Sequence, residues 1–349
     1  MKNYGKKQID IREDNKSAVI DILLQNDSTM LQMSEVLKLS HTALAKVIKE
    51  LTQKDIVMLT DVKEVNAGRP PKVYGINSDC AIACAVVLTS SYIKIYYVDM
   101  KGFQINECEK ENDFSDLDSL LNFVAEKIRS LKAHPRLENK LLKYIYLGIP
   151  TAKFYGRTFE FSQQKVFDYM SSNFPEIGIV IHRNIDYETV AEQKYGLLKE
   201  NISNAMLVNL DNYFSASILL NGSVYSGDTQ MQGVNGFNEF AGIENIFDMP
   251  FEEIAKGYCA KNEHCILEVR KKLDFVFERL NYILRFLDIG KVVLSGKVKM
   301  FGEDFLAYVS NMLQGCKVKY SIMGKEVPPA LSGAVWMSTY ATLQDVMVR

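Results

Sequence analysis

The stretch Ser40–Val57, SHTALAKVIKELTQKDIV, followed by Asn66–Asn77, NAGRPPKVYGIN, decides how the first quarter of the chain is read. In the first segment Leu44, Ile48 and Leu51 recur at intervals of four and three, so they line one buried stripe of a helix. Ser40 stands where an N-cap belongs. His41, Thr42, Ala43, Lys46 and Lys49 fall on or near the opposite face. Small and basic residues early on an outward helix face suit insertion into a DNA major groove. In the second segment Asn66-Ala67-Gly68 supplies a turn and Pro70-Pro71 stiffens its exit, between the short strands IVMLTDV and KVYGIN. Arg69 and Lys72 then belong to a β-wing, where a cation reaches a phosphate or the minor groove.

Working back toward the N-terminus, NKSAVIDILLQN predicts a helix from Asn15, with Val19, Ile20, Ile22, Leu23 and Leu24 at helical spacing. STMLQMSEVLKLS predicts a second helix, capped by Ser28 or Thr29, with Met30, Met33, Val36 and Leu37 facing inward. Only Lys38-Leu39-Ser40 joins it to the third. Glycine is favoured in such a turn because it tolerates positive φ; lysine there costs about 1 kcal/mol.

The bulk properties set bounds on the rest. A chain of 349 residues is too long for one ordinary core, so two or three domains are expected. The hydrophobic share of 47% and charged share of 24% are those of a globular protein. No apolar run is long enough for a membrane span. The stretch MKNYGKKQIDIRED lacks the apolar centre of a secretory signal, so a cytoplasmic protein is expected. Cys80, Cys84, Cys108, Cys259, Cys265 and Cys316 are too scattered for a disulfide framework. The net charge is -2, yet Lys2, Lys6, Lys7, Lys16, Lys38, Lys46, Lys49, Lys54, Lys63, Arg69 and Lys72 crowd the first quarter, a local basic surface on a mildly acidic whole.

From about residue 80 the pattern is α/β. AIACAVVLTS, YIKIYYVDM and KGFQINECEK read as a meander, DLDSLLNFVAEKIRSL as an amphipathic helix, and YIYLGIP and IGIVIHRN as buried strands. YETVAEQKYGLLK reads as a helix and NAMLVNLDNYFSASILLNGSVYSG as a hairpin turning at Asn221-Gly222. LEVRKKLDFVFERLNYILRFL is a long helix, KVVLSG a buried strand, EDFLAYVSNMLQG a helix, and PPALSGAVWMSTYATLQDVM a helix rich in small residues. Two rounds of meander, helix, strand and helix point to a duplicated α/β unit, although the two halves show no sequence repeat.

This order resembles the ROK family (repressors, open reading frames, kinases), specifically its xylose- and N-acetylglucosamine-type repressors. The resemblance is carried by NKSAVIDIL, LSHTALAKVIKELTQKDIV, NAGRPPKVYGIN, LGIP, SILLNGSVYSG and PALSGAVWMS, and it spans nearly the whole chain. It implies a winged helix-turn-helix over 1–79 joined to a two-lobed, actin-like ATPase domain of the sugar kinase and RNase H-like type. The first lobe would comprise 80–185 plus 330–349, and the second lobe 186–329. It also implies a double-stranded DNA operator, a sugar or sugar-derivative effector, and a homodimer or homotetramer.

The kinase motifs of the resembled family are altered here. Its first phosphate loop, Asp-x-Gly-Gly-Thr, corresponds to Val87-Leu88-Thr89-Ser90-Ser91, without the metal-holding acid or the glycines that let amides approach a phosphate. Its second, Gly-Thr-Gly-x-Gly, corresponds to Asp211-Asn212-Tyr213-Phe214-Ser215. Counting back from Tyr195-Gly196, the catalytic Asn-Asp falls on Arg183-Asn184, and an amide cannot take a hydroxyl proton at neutral pH; Asp186, two residues on, is a displaced acid at most. In Gly233–Phe240, GVNGFNEF, the sugar-binding Glu is Phe237 and the zinc-binding His is Phe240. Cys259, His264 and Cys265 have the wrong spacing for the family's zinc site, and no fourth ligand is evident. No catalytic residue, metal or cofactor is therefore expected. Arg183, Asn184, Asp186, Asn235, Asn238 and Glu239 remain as a candidate polar site, with Arg183 suited to an acidic or phosphorylated ligand.

Three functions follow, in order of weight: a transcriptional regulator, with repression of carbohydrate-related genes the expectation; a ROK sugar kinase with an accessory DNA-binding arm; and a protein-binding scaffold. The lost phosphate and proton-transfer groups oppose the second. The third would show exposed apolar patches and no basic face on the first domain.

Overall fold

The structure is a computed structural model describing residues 8–62, 71–150, 162–199, 202–211, 214–225 and 246–348. It is a mixed α/β protein whose strands form one small and two five-stranded sheets.

The first helices form for the reasons their caps and stripes dictate. α1 (Gln8–Gln25) begins well before Asn15. Its first turns are tied down by charge: the Arg12 guanidinium pairs with Glu50, and the Lys16 ammonium, with its stem buried, reaches Glu13 at 2.8 Å and Glu50 at 3.4 Å. α2 (Met30–Leu37) starts with a capping box in which Thr29 accepts from the Gln32 amide and Gln32 returns a bond to the Thr29 backbone. Val36, expected inside, is instead 68% exposed. The helix ends with Lys38 at φ 56°, ψ 29°, the left-handed conformation that a glycine would hold without strain. α3 (His41–Gln53) is capped by Ser40, which accepts from the Ala43 amide, and buries Leu44, Val47, Ile48 and Leu51. β2 (Val57–Val62) and β3 (Lys72–Ile76) then pair antiparallel. A two-residue strand unforeseen in the sequence, β1 (Ser28–Thr29), joins β3 on its other side.

The two larger sheets repeat one plan. In the first, β4 (Ile82–Leu88), β5 (Tyr92–Asp99) and β6 (Gln104–Glu111) form the meander. β7 (Leu142–Ile149) and β8 (Gly178–Arg183) then add parallel to β4, for an order β6-β5-β4-β7-β8. In the second, β9 (Ala205–Leu210), β10 (Phe214–Leu220) and β11 (Ser223–Val224) form the meander. β12 (Lys291–Ser295) and β13 (Lys317–Tyr320) then add parallel to β9, for an order β11-β10-β9-β12-β13. The duplication inferred from element order is thus present in strand order and direction. Asn221 (φ 51°) and Gly222 (φ 77°) make the turn between β10 and β11.

Helices fill the spaces. α4 (Leu117–Lys132) and α5 (Gln163–Asn173) contribute to the core of the first large sheet, with Leu121, Val124, Val166 and Met170 buried. α6 (Asn184–Tyr195) starts three residues before the expected Tyr187, directly at the end of β8. α7 (Phe251–Cys259), α8 (Glu263–Phe286) and α9 (Gly302–Met312) pack around the second, α7 being an element the sequence reading left out. α10 (Pro329–Val348) lies across β4 and β7 and against α6.

α10 is apolar and small-residued for a steric reason. At Gly333 it crosses α6 so closely that an added Cβ would fall inside the van der Waals shell of the Tyr187 carbonyl oxygen. Ala330 and Ala334 flank the contact, both buried. Its buried hydroxyls are satisfied within the helix: Ser338 and Thr339 donate to the Val335 carbonyl at 2.9 and 3.0 Å, and Thr342 to the Ser338 carbonyl at 2.7 Å.

One hydrophobic cluster joins the N-terminal unit to the first large sheet. Val19, Ile20, Leu23, Met33, Leu44 and Leu51 share it with Ala83, Val98, Leu343 and Met347. Ser17 donates to Gln344 at 2.9 Å and the Lys54 ammonium to the Met347 carbonyl at 2.5 Å. Replacing Gly333 by Ala forces backbone apart at the α6–α10 crossing, and we expect a loss of about 3 kcal/mol or more. A denaturant midpoint unchanged from wild type would refute the close packing.

Candidate functional site

Two places bring functional side chains together. The first is the outer face of α3. His41, Thr42, Lys46 and Lys49 are exposed there, as is Ala45, which the sequence reading omitted; Ala43 is half-covered. The acid on this helix, Glu50, is turned back to α1, where the Arg12 guanidinium holds its carboxyl below the usual carboxylate range. Among the described residues Lys46 and Lys49 make no ion pair, so their charge is directed to solvent. Lys72, at the start of β3, is exposed; Arg69 lies outside the described residues. The free amides at the start of α3 and two unpaired ammoniums on one face are what a phosphate backbone would meet.

The second place is where α6 passes between the two large sheets. Arg183, the last residue of β8, points its guanidinium at Asp186, with Nε to Oδ2 at 2.7 Å and Nη2 to Oδ1 at 2.5 Å. Nη1 donates to the Ala216 carbonyl of β10 at 3.3 Å, and the Ser217 hydroxyl donates to Asp186 at 2.7 Å. Both charged residues are buried. The expectation that Arg183 and Asp186 face a ligand is therefore corrected: each is taken by the other, in a bidentate pair that pins α6 to the second large sheet. Asn184 is also structural, donating to the Leu88 carbonyl at the end of β4 at 2.7 Å. Its Oδ1, buried and without a hydrogen-bond partner, packs where a Cβ on Gly148 would stand. Asn235, Asn238 and Glu239 lie outside the described residues.

One turn further along α6, Glu188 reaches the second large sheet. Its Oε2 accepts from Ser295 Oγ at 3.0 Å and from Asn209 Nδ2 at 3.2 Å. Burial pushes its carboxyl up to about 7, and the nearby Asp211 charge adds to this. Asp211 is itself raised by burial although it accepts the Lys297 amide at 3.0 Å. Burial and these two acids push Tyr92, on β5, up to about 12. Glu188 was missed because YETVAEQKYGLLK reads as an ordinary amphipathic helix with its polar face outward; α6 is instead largely enclosed, with Glu188 half-buried and Glu192 buried. Two carboxylates four residues apart on a helix between two sheets were the available signal.

The phosphate-loop positions are closed by their own side chains. Thr89 Oγ1 accepts the amides of Tyr92 at 2.9 Å and Ser91 at 3.3 Å, and the Thr89 amide donates to the Tyr92 carbonyl at 2.9 Å. Asn112 Nδ2 holds the Thr89 carbonyl at 2.6 Å. The amides of Thr89, Ser91 and Tyr92 are thus already bonded within the loop. Phe214 and Ser215 are buried in β10, and Asn212 and Tyr213 lie outside the described residues. Ser295-Gly296 forms a turn with Gly296 at φ 85°, tight against Asn209 and the Leu210 carbonyl. Cys259 Sγ donates to the Met300 and Phe301 carbonyls, and Cys265 is buried on α8. Among the described residues no group of three or more His, Cys, Asp or Glu is placed to hold a metal, and no helix is long and apolar enough to cross a membrane.

Duplicated five-stranded sheets with a helix passing between them define the two-lobed, actin-like α/β fold, here preceded by a three-helix unit with a small sheet. No protein-family model matches the chain, and no curated protein does. Solved structures do. A ROK family transcriptional regulator, a homolog of the E. coli MLC protein, superposes over 97% of this chain and 99% of its own, with a TM-score of 0.70 at 13% identity. A ROK hexokinase from Thermus thermophilus covers 76% of this chain and 99% of its own, with a TM-score of 0.58 at 14% identity. A putative N-acetylmannosamine kinase from Listeria monocytogenes covers 75% and 99%, with a TM-score of 0.54 at 15% identity. The chain thus has the fold shared by ROK regulators and ROK kinases.

Glu188 gives a pH test. Its folded pKa stands above its unfolded one, so the folded state binds the extra proton between pH 4.5 and about 7 and loses that advantage as pH rises through this window. Glu188→Gln removes the effect. We expect the variant to gain stability relative to wild type from pH 5 to pH 8, by about 3 kcal/mol at most. A difference between the two denaturation curves that stays constant with pH would overturn the assignment.

Proposed function

We propose that this protein is a ROK-type transcriptional regulator, cytoplasmic, that binds an operator through a winged helix-turn-helix at its N-terminus. Its kinase-like part serves sensing and assembly instead of phosphoryl transfer. The observation that carries this reading is the α3 outer face: exposed Lys46 and Lys49, unpaired among the described residues, beside a helix start with exposed His41 and Thr42, the acid of α3, Glu50, drawn off by Arg12 and Lys16. The coverage of the similar structures supports it. The kinases leave about a quarter of the chain unmatched, the size of the N-terminal unit, whereas the regulator spans nearly all of it. Repression of carbohydrate-related genes and a sugar or sugar-derivative effector bound between the two large sheets complete the proposal, with domain limits near 79 and 185 and α10 in the first lobe.

The absence of phosphoryl transfer rests on the geometry at Thr89 and Asn184. The Ser91 and Tyr92 amides are bonded to the loop's own Thr89 hydroxyl and are not offered to a nucleotide, and an amide at 184 that donates to a carbonyl is not a base. Release of ADP from magnesium–ATP with any common hexose would overturn this part.

Operator fragments selected from genomic DNA test the rest. Lys46→Ala and Lys49→Ala should each weaken binding to those fragments and lower the slope of log K against log salt by about 1. Failure to select any DNA, or slopes identical to wild type, would refute the reading.

Assembly is proposed through α8, whose Phe275, Tyr282 and Phe286 are 45%, 77% and 89% exposed on one helix face, with Arg279 stacked on Phe275 at 3.5 Å. Apolar patches of this kind on a folded surface mark interfaces. A homodimer that becomes monomeric in Phe286→Asp, by light scattering, is the expected result; an unchanged mass would exclude this face.

A further inference from the structure

Five non-glycine residues among those described are held at positive φ. Three of them, Asp55, Asn221 and Asp288, carry the short polar side chains that tolerate the left-handed region. The other two are lysines, Lys38 and Lys261, whose Cβ crowds the following carbonyl oxygen there. Each stands just past the end of a helix, where glycine is favoured.

For Lys261 the partner is on the chain: its ammonium pairs with Asp304 and ties the end of α7 to the start of α9. Lys38, at φ 56° and ψ 29°, has no counterpart of that kind among the described residues. Its side chain is exposed and enters no ion pair or hydrogen bond, and Glu35, one turn back, is exposed and makes no pair with it. Attraction to the last carbonyls of α2 is open to any cation in that turn, and water screens it. The backbone strain at Lys38 is thus retained for a cation whose partner is not in the protein.

The turn that carries it is firmly built. Ser34 Oγ donates to the Leu39 carbonyl at 2.7 Å, and Ser40 Oγ accepts the Ala43 amide at 3.2 Å to cap α3. Lys38 is therefore fixed three residues before His41, at the same end of α3 as the His41 and Thr42 amides, which the cap leaves unbonded. A cation beside a helix N-terminus is an arrangement that takes a phosphate.

We infer that Lys38 is a phosphate-contacting residue: its ammonium and the first amides of α3 seat one backbone phosphate of duplex DNA and set how α3 lies in the groove. The inference rests on the reading of α3 as the DNA-facing helix and adds to it a residue from outside that helix.

Full-length wild type, Lys38→Gly, Lys38→Arg and Lys46→Ala are compared on one fragment selected from genomic DNA, by fluorescence anisotropy over a salt series, and by urea denaturation without DNA. Glycine relieves the left-handed backbone and removes the cation, so the two readouts separate. Lys38→Gly should keep or raise the denaturation midpoint, while its affinity falls on the order of tenfold and its slope of log K against log salt drops by about 1. Lys38→Arg should retain the wild-type slope. A Lys38→Gly affinity or slope equal to wild type, or a midpoint below it, would overturn the inference. If Lys46→Ala lowers the slope and Lys38→Gly does not, the DNA-facing role of α3 stands and this contact falls; if wild type binds no fragment, both fall.

Discussion

The crossing of α6 and α10 at Gly333 is the constraint on which the rest of the molecule depends. Two helices can approach to backbone contact only where one lacks a side chain, and the Tyr187 carbonyl takes the room a Cβ would need. Everything attached to either helix inherits that fixed distance. α6 carries the Arg183–Asp186 pair to β10, the Asn184 amide to β4 and Glu188 to the ends of β9 and β12. α10 covers β4 and β7 and finishes inside the core of the N-terminal unit. Both large sheets and the N-terminal unit are thus referenced to one contact.

The site between the sheets shows how the buried polar groups of this scaffold satisfy one another. A hydroxyl is bonded to its own loop amides, a guanidinium to a carboxylate three residues away, and a carboxamide to a strand-end carbonyl. Each is a polar group that burial would otherwise leave unpaired, at a cost comparable to a lost hydrogen bond. Glu188 is the exception. It keeps two donors but remains desolvated enough to hold a proton near neutral pH.

Most of the architecture was legible in the sequence because periodicity is a local signal. The stripe Leu44, Ile48 and Leu51, the capping residues Thr29 and Ser40, the Asn221-Gly222 turn and the buried runs of β4, β7, β9 and β12 each declare themselves within a dozen residues. What failed was set by partners far along the chain. α1 extends back past Asn15 because Glu50 receives its cations, and Val36 is exposed because its helix is covered on one side only. Arg183 and Asp186 read as ligand groups because nothing in HRNIDYETV says that β10 will supply Ser217 and a carbonyl to complete their set. For the same reason Glu188 went unnoticed: its burial is a property of two sheets, not of its helix.

The cluster shared by the N-terminal unit and α10 also bears on how the chain is made. Val19, Ile20, Leu44 and Leu51 leave the ribosome early, but Leu343 and Met347, which seal their apolar faces, follow only after both large sheets have been synthesised. Until then the nascent front segment presents an unfinished hydrophobic surface. The front unit therefore completes its apolar core only when α10 has been synthesised and docks against it.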